Sequence, residues 1–165
     1  MSTTRGVVFI HAAAAALCPH VEWAIAGVLD ASVSLRWQPQ PVEPGTLRAE
    51  YLWTGASGTA GALTTALRNC QRLRFEVTED PAQGQEGQRF SFTPSLGLFR
   101  ATTGPSGDIA VPEERIRAAL AADLSGARPL VDSMHDLIGT DWDEELEVFR
   151  YAGEGQTVRW LHVAV

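Results

Sequence analysis

The residues best placed to do chemistry lie close together near the N-terminus: His11, Cys18, His20 and Glu22, within Thr4 to Leu29, TRGVVFIHAAAAALCPHVEWAIAGVL. Cys18-Pro19-His20 reads as a helix start, because proline suits a first helical position. A thiol there gains from the positive end of the helix dipole, which lowers its pKa, and His11 or His20 could serve as its imidazole partner in nucleophilic catalysis. The same donors, Cys18 beside His11 or His20, would also suit a small metal site. His11 leaves the end of a strand, where α/β folds tend to place ligand sites. Glu22 and His162 are candidate ligand-binding groups, the second because a last strand set beside the first would bring His162 toward His11. The ordinary alternative is structural: cysteine is among the most buried residue types, and His20 can be a plain polar helix-start residue. The spacing matches no known catalytic signature.

Three weaker patterns accompany that cluster. Asp141, Asp143, Glu144, Glu145 and Glu147 form the densest carboxylate group, expected to be a solvated acidic helix face. Gly55 to Gly61, GASGTAG, follows a strand and precedes a helix, the context of a phosphate cradle, but it lacks GxGxxG spacing. A plain connection is expected there. Arg36, Arg48, Arg72 and Arg74 sit on polar strand faces with Glu50 and Glu76 interleaved. Mixed ion pairs are expected, under a cover from the C-terminal hairpin, the helices or a second subunit. The alternative is an anion or RNA platform, and RNA readout would need exposed aromatics on that face. Trp37, Tyr51, Trp53 and Phe75 take the opposite parity.

Composition narrows the chemistry. All 13 basic residues are arginine. Without lysine there is no Schiff base and no Walker-type phosphate loop. A net charge of −7 without a basic cluster argues against nucleic acid and anionic membrane as partners. The 45% hydrophobic and 20% charged fractions are those of a chain that buries a core. No apolar run reaches the roughly 20 residues that span a bilayer, and none reads as a signal peptide. A cytoplasmic location is expected, where Cys18 and Cys70 would be free thiols. No CxxC pair is present, no metal ligand set is assigned and no cofactor is expected.

The elements that position these residues follow from periodicity. Arg5 to Ile10 is a strand apolar on both faces, hence central in a covered sheet. A helix from Cys18 buries Val21, Ile25, Val28 and Leu29. Val33 to Gln38, Leu47 to Trp53 and Leu73 to Val77 alternate as strands, with a helix over Ala62 to Cys70 between the last two. That order is βαββαβ and predicts a ferredoxin-like unit over residues 1–80. Over 81–165 the chain predicts a hairpin (Arg89 to Thr93 and Leu96 to Thr102), a helix after Pro112 burying Ile116, Ala119, Leu120 and Leu124, a helix after Pro129, a short acidic turn or helix over Trp142 to Phe149, and a final strand over Val158 to Val165. The expectation is one α/β domain over 1–165, the C-terminal elements completing the sheet of a ferredoxin-like N-terminal half.

Five strings, TRGVVFIHAAAAALCPHVEWAIAGVL, PGTLRAEYLWTG, LRFEVTED, FTPSLGLFRATTGPSGDI and FRYAGEGQTVRWLH, together resemble an actinobacterial family catalogued as domain of unknown function 3145. The resemblance covers nearly the whole chain. It implies an actinobacterial cytoplasmic protein and carries no activity and no assigned catalytic residues. The absence of a dense catalytic motif, with a topology that often pairs through its sheet, leads to the expectation of a non-catalytic binding or protein-interaction module, homo-oligomeric, its small-molecule ligand unknown. The alternative is a small enzyme or metal-binding protein using Cys18 with His11 or His20.

Overall fold

Val8 and Ile10 leave one side of the first strand, Phe9 and His11 leave the other, and all four are buried. A strand built this way must run inside a sheet with both faces covered. A computed structural model describes residues 2–70 and 72–152. In it the chain runs β1 (Thr3–Ala14), a 3₁₀ turn (Ala15–Leu17), α1 (Cys18–Leu29), β2 (Gln38–Pro39), β3 (Thr46–Ala56), α2 (Thr59–Arg68), β4 (Arg74–Glu79), β5 (Gly87–Thr93), β6 (Gly97–Thr103), β7 (Ile109–Ala110), α3 (Glu113–Leu124), α4 (Leu130–Ile138) and α5 (Thr140–Arg150).

Among the described residues this is a mixed α+β fold of five helices and a seven-stranded sheet ordered β2-β3-β1-β4-β5-β6-β7. Every neighbouring pair is antiparallel. The order of the first four strands is compatible with a ferredoxin-like βαββαβ unit, and the hairpin β5–β6 extends it beyond β4. The predicted final strand and His162 lie outside the described residues.

Helices α1 and α2 cover one face. Val21 and Ile25 from α1, with Ala60, Leu63 and Leu67 from α2, meet Val8, Ile10, Trp53, Phe75, Val77, Phe90 and Phe92 in one apolar cluster. The aromatics that alternation assigned to this side are on it, including the half-buried Trp37 and Tyr51. Gly6 lets β1 approach its neighbours, since a Cβ there would fall 1.8 Å from the Thr78 carbonyl oxygen and 2.6 Å from the Trp53 ring.

The second face is polar and lies under α5, which packs against β1 and β5. Leu146, Phe149 and Arg150 are the buried residues of α5. Trp142 anchors its start, donating Nε1–H to the Gly97 carbonyl at 2.9 Å and packing on Phe99 with ring centroids 5.4 Å apart. Gly139, in the left-handed region at φ 70°, turns the chain from α4 into α5 directly against Phe99.

Two expectations about elements are corrected. Val33 to Gln38 is not a strand; pairing is confined to Gln38 and Pro39, and proline cannot donate to a ladder. The alternation there serves to pack an irregular segment, in which Leu35 is buried and the Leu35 amide donates to Glu22 instead. On α3 only Ala119 is buried, and Ile116, Leu120 and Leu124 are exposed, because this helix packs chiefly on α4 at the margin of the sheet. Among the described residues no helix lies over the outer half of β3, where Leu52 is 73% exposed, because α5 lies over β1 and β5. No helix among the described residues is long and apolar enough to cross a membrane.

Candidate functional site

The sheet face under α5 carries Glu76 on β4, which is paired with Ser91 on β5, while Thr78 is paired with Arg89. Period-2 alternation puts all four side chains on the α5 side. Glu76 is fully buried and accepts from four directions at once. His11 Nε2–H donates to its Oε2 at 2.7 Å, Arg150 Nε–H to the same oxygen at 2.9 Å, Ser91 Oγ–H to Oε1 at 3.0 Å, and Arg150 Nη2–H also to Oε1. Arg89 Nη2 lies 3.7 Å from Oε1. Asp143 on α5 closes the network, accepting from Arg89 at 2.7 Å and from Arg150 at 3.0 Å.

Burial pushes the Glu76 carboxyl up, but the hydrogen bonds and charges of His11 and Arg150 outweigh it and hold the group well below the usual carboxylate range. An ionised carboxylate only accepts, so the proton of the His11–Glu76 contact sits on Nε2. Burial likewise works against the charge of Arg150, and Glu76 and Asp143 reverse that, pushing its pKa above the ordinary value.

His11 reaches this network because β1 bulges around it. The register with β3 shifts between Ile10 and Ala13, and that with β4 between Ile10 and Ala12. A bulge breaks the ladder and re-aims a side chain. The His11 carbonyl accepts from the side-chain amide of buried Gln40 at 2.7 Å, and the same amide reaches the Phe149 carbonyl at 3.3 Å. A second group of ion pairs flanks the first. Arg74 donates to Glu145 at 3.3 Å and Glu43 at 3.1 Å and lies 4.7 Å over the Phe149 ring, while Thr93 and Ser95 donate to Glu145 at 3.1 and 2.6 Å.

The network opens into a cleft of about 770 Å³ at the Asp80 end of the sheet. Arg89 and Asp143 form its inner wall, with Arg5, Thr78, Asp80, Thr103 and the loop Gly104–Asp108 around them. Arg5 pairs with Asp80 at 3.0 Å. At the other end of β1, His11 borders a smaller pocket of about 220 Å³ with Arg36, Gln38, Arg48 and Glu50.

The cluster singled out by sequence is dispersed. Cys18 belongs to the apolar core between the sheet and α1, whereas His11 faces α5 on the opposite side of the sheet. The predicted lowering of the Cys18 pKa is corrected. Burial and then the charge of Glu22, one turn along the helix, push the thiol up against the smaller opposing effect of a backbone hydrogen bond. His20 is exposed and sits edge-on to Trp23, centroids 5.2 Å apart. Glu22 fastens the segment after α1, its Oε1 accepting from the Leu35 amide at 2.8 Å and Trp37 Nε1–H at 3.1 Å. Among the described residues no three of His, Cys, Asp and Glu converge to hold a metal ion.

The glycine-rich helix start is occupied from within. Glu79 accepts from the Gly58 amide at 2.9 Å and the Ala60 amide at 3.0 Å, taking the place an external anion would have. The acidic face of α5 is corrected in part, since Asp143 and Glu145 turn toward the sheet arginines instead of solvent.

Sequence reasoning on chemistry missed Glu76, Arg89, Ser91, Asp143 and Arg150 as members of one site. The available signal was the polar parity of β4 and β5, with Asp143 and Arg150 seven residues apart on one helix face.

No curated protein and no solved structure matches the chain. The family comparison succeeds where those two fail: with residues 7–163 matched, spanning the bulged strand, the polar sheet face and the helix that covers it, the chain belongs to the family described as protein of unknown function (DUF3145).

Proposed function

We propose that the protein is a non-catalytic binding module whose ligand seat is the 770 Å³ cleft, within the volume range of small-molecule sites. The observation that carries this reading is that the charges on its inner wall are held from behind. Arg89 is clamped by Asp143 and approached by Glu76, and Asp143 is clamped in turn by Arg150. Charges fixed by a buried network are preorganised, so a ligand that matches them loses little to reordering. Two arginines and the carboxylates of Asp80, Asp108 and Asp143 line the cleft, with the Thr78, Thr103 and Ser106 side chains between them. That mixture suits a small zwitterion such as an amino acid or short peptide. An actinobacterial, cytoplasmic setting belongs to the same reading, and the lysine-free, arginine-only basic composition is compatible with its actinobacterial part.

The test is a panel of amino acids and dipeptides titrated into the full chain and followed by amide NMR. Binding shifts the Thr78, Thr103 and Asp108 signals saturably. Ser106→Trp, on the exposed loop at the cleft rim, fills the cleft and removes those shifts. Shifts that persist in Ser106→Trp, or no saturable shift across the panel, count against the proposal. Light scattering at several concentrations tests the accompanying expectation of a homo-oligomer.

A further inference from the structure

We propose that the 220 Å³ pocket at the His11 end of β1 is a seat for a small oxyanion, phosphate or carboxylate, gripped by Arg48 and Arg36. It is separate from the zwitterion cleft. Arg5 borders the cleft and His11 the pocket, about 20 Å apart along one strand at the usual rise per residue.

Arg5, Arg74, Arg89 and Arg150 each have a carboxylate within ion-pair distance. Arg36 and Arg48 have none among the described residues, although both line this pocket. Arg48 shows more than a missing partner. Its Nη1 is closed off from solvent and has no acceptor among the described residues. A buried guanidinium N–H without an acceptor forfeits its hydration and gains nothing in exchange. Nη1 has no solvent contact in this rotamer, so the anion is met by a turn of the guanidinium about its terminal bonds. That turn exchanges an unmatched buried donor for a charge-assisted, two-point contact, the geometry in which arginine binds phosphate and carboxylate.

The pocket wall is fixed where it matters. Arg48 pairs with Gln38 across β2–β3, and the neighbouring Ala49 pairs with Ile10 at the edge of the bulge. His11 cannot swing in to neutralise the anion, because Glu76 holds its ring and Gln40 its carbonyl. Glu50 is the one carboxylate among the described lining residues, and it is exposed. Its charge opposes an anion at close range and sets the expected affinity in the millimolar range for phosphate alone.

The experiment uses the full chain at constant ionic strength, with inorganic phosphate and, in a separate arm, acetate. The arginine Nε–H signals are followed by NMR. The expected result is a saturable shift of the Arg48 and Arg36 signals at millimolar anion, and the arm that binds more tightly tells tetrahedral from planar chemistry. Arg48→Gln weakens binding by at least about tenfold, and Glu50→Gln tightens it. If Arg48→Gln fails to fold, Arg36→Gln supplies the same comparison. No saturable shift in either arm overturns the proposal, and so does an affinity unchanged by the arginine substitution. The readout sits on Arg36 and Arg48, so its failure is distinguishable from failure of the zwitterion cleft, read at Thr78, Thr103 and Asp108.

Discussion

Arg150 and Glu76 lie 74 residues apart and meet in a two-point ion pair, with Nε donating to Oε2 at 2.9 Å and Nη2 to Oε1. The last residue of α5 is thereby fastened to the middle of β4 beneath the helix. Removing one member strands the other charge, so Glu76→Gln and Arg150→Met are each expected to cost about 3–5 kcal/mol. The double variant Glu76→Leu/Arg150→Met is expected to lose less than the sum, because no unmatched charge is left between the two. Urea unfolding with a double-mutant cycle measures this, and strictly additive losses would show that the pair is not coupled.

The depressed pKa of Glu76 has a consequence for acid stability. Its ordinary value is 4.5 and the folded value lies well below. Between the two, the unfolded chain binds a proton that the folded chain does not, so stability rises with pH across that window. The contribution is fully present above about pH 4.5 and is lost as pH falls toward the folded value, with a slope of up to about 1.4 kcal/mol per unit. Glu76→Gln is expected to remove that part of the slope. If the variant is too unstable, carboxyl ¹³C titration of the natural protein gives the same answer: the Glu76 resonance should remain that of an ionised group while free glutamates protonate. Titration with the ordinary glutamates would contradict the network.

Cys18 should behave as a core thiol. Burial and Glu22 raise its pKa above 9.0, and burial raises that of Cys70 above the same value. Iodoacetamide labelling followed by mass spectrometry is expected to be slower at pH 7 in the folded protein than in urea, with the rate rising only in the alkaline range. A labelling profile with an apparent pKa below that of free cysteine would revive a nucleophilic role.

The start of α2 is held by Glu79 through the amides of Gly58 and Ala60. Glu79→Ala should cost about 1–2 kcal/mol, as for loss of a helix N-cap with a favourable charge, and Glu79→Gln should cost less. Thermal unfolding gives the magnitude, and amide exchange at Gly58 and Ala60 localises it. Unchanged exchange at both amides in Glu79→Ala would mean that this carboxylate does not cap the helix.

Much of the fold is legible from residue order. The unbroken apolar run Val7 to Ile10 marks a strand covered on both faces, Pro19, Pro112 and Pro129 mark helix starts, and the parity of Trp53 and Phe75 marks the side that α1 and α2 cover. These are local properties, set by the strand and helix periods and by where proline can stand. The limits of that reasoning are equally specific. The alternation of Val33 to Gln38 shows which residues turn inward but not that Glu22 captures the Leu35 amide. The apolar spacing on α3 cannot show that nothing broad enough among the described residues lies opposite it to bury Leu124, which is 87% exposed.

The candidate site divides the same way. Sequence by itself determined the inventory: arginines without lysine, a polar parity on β4 and β5, an acidic helix, and histidine and cysteine near the first helix. Pairing was decided only in three dimensions. His11 and Cys18 are close in sequence yet fall on opposite faces, because side chains alternate along β1 and the chain then crosses to α1 on one side only. Glu76 and Arg89 are far in sequence from Asp143 and Arg150 yet converge with them, because strand register and the docking of α5 set which charges meet. A charge's meaning depends on its partners and its exclusion from water, and tertiary structure alone supplies both.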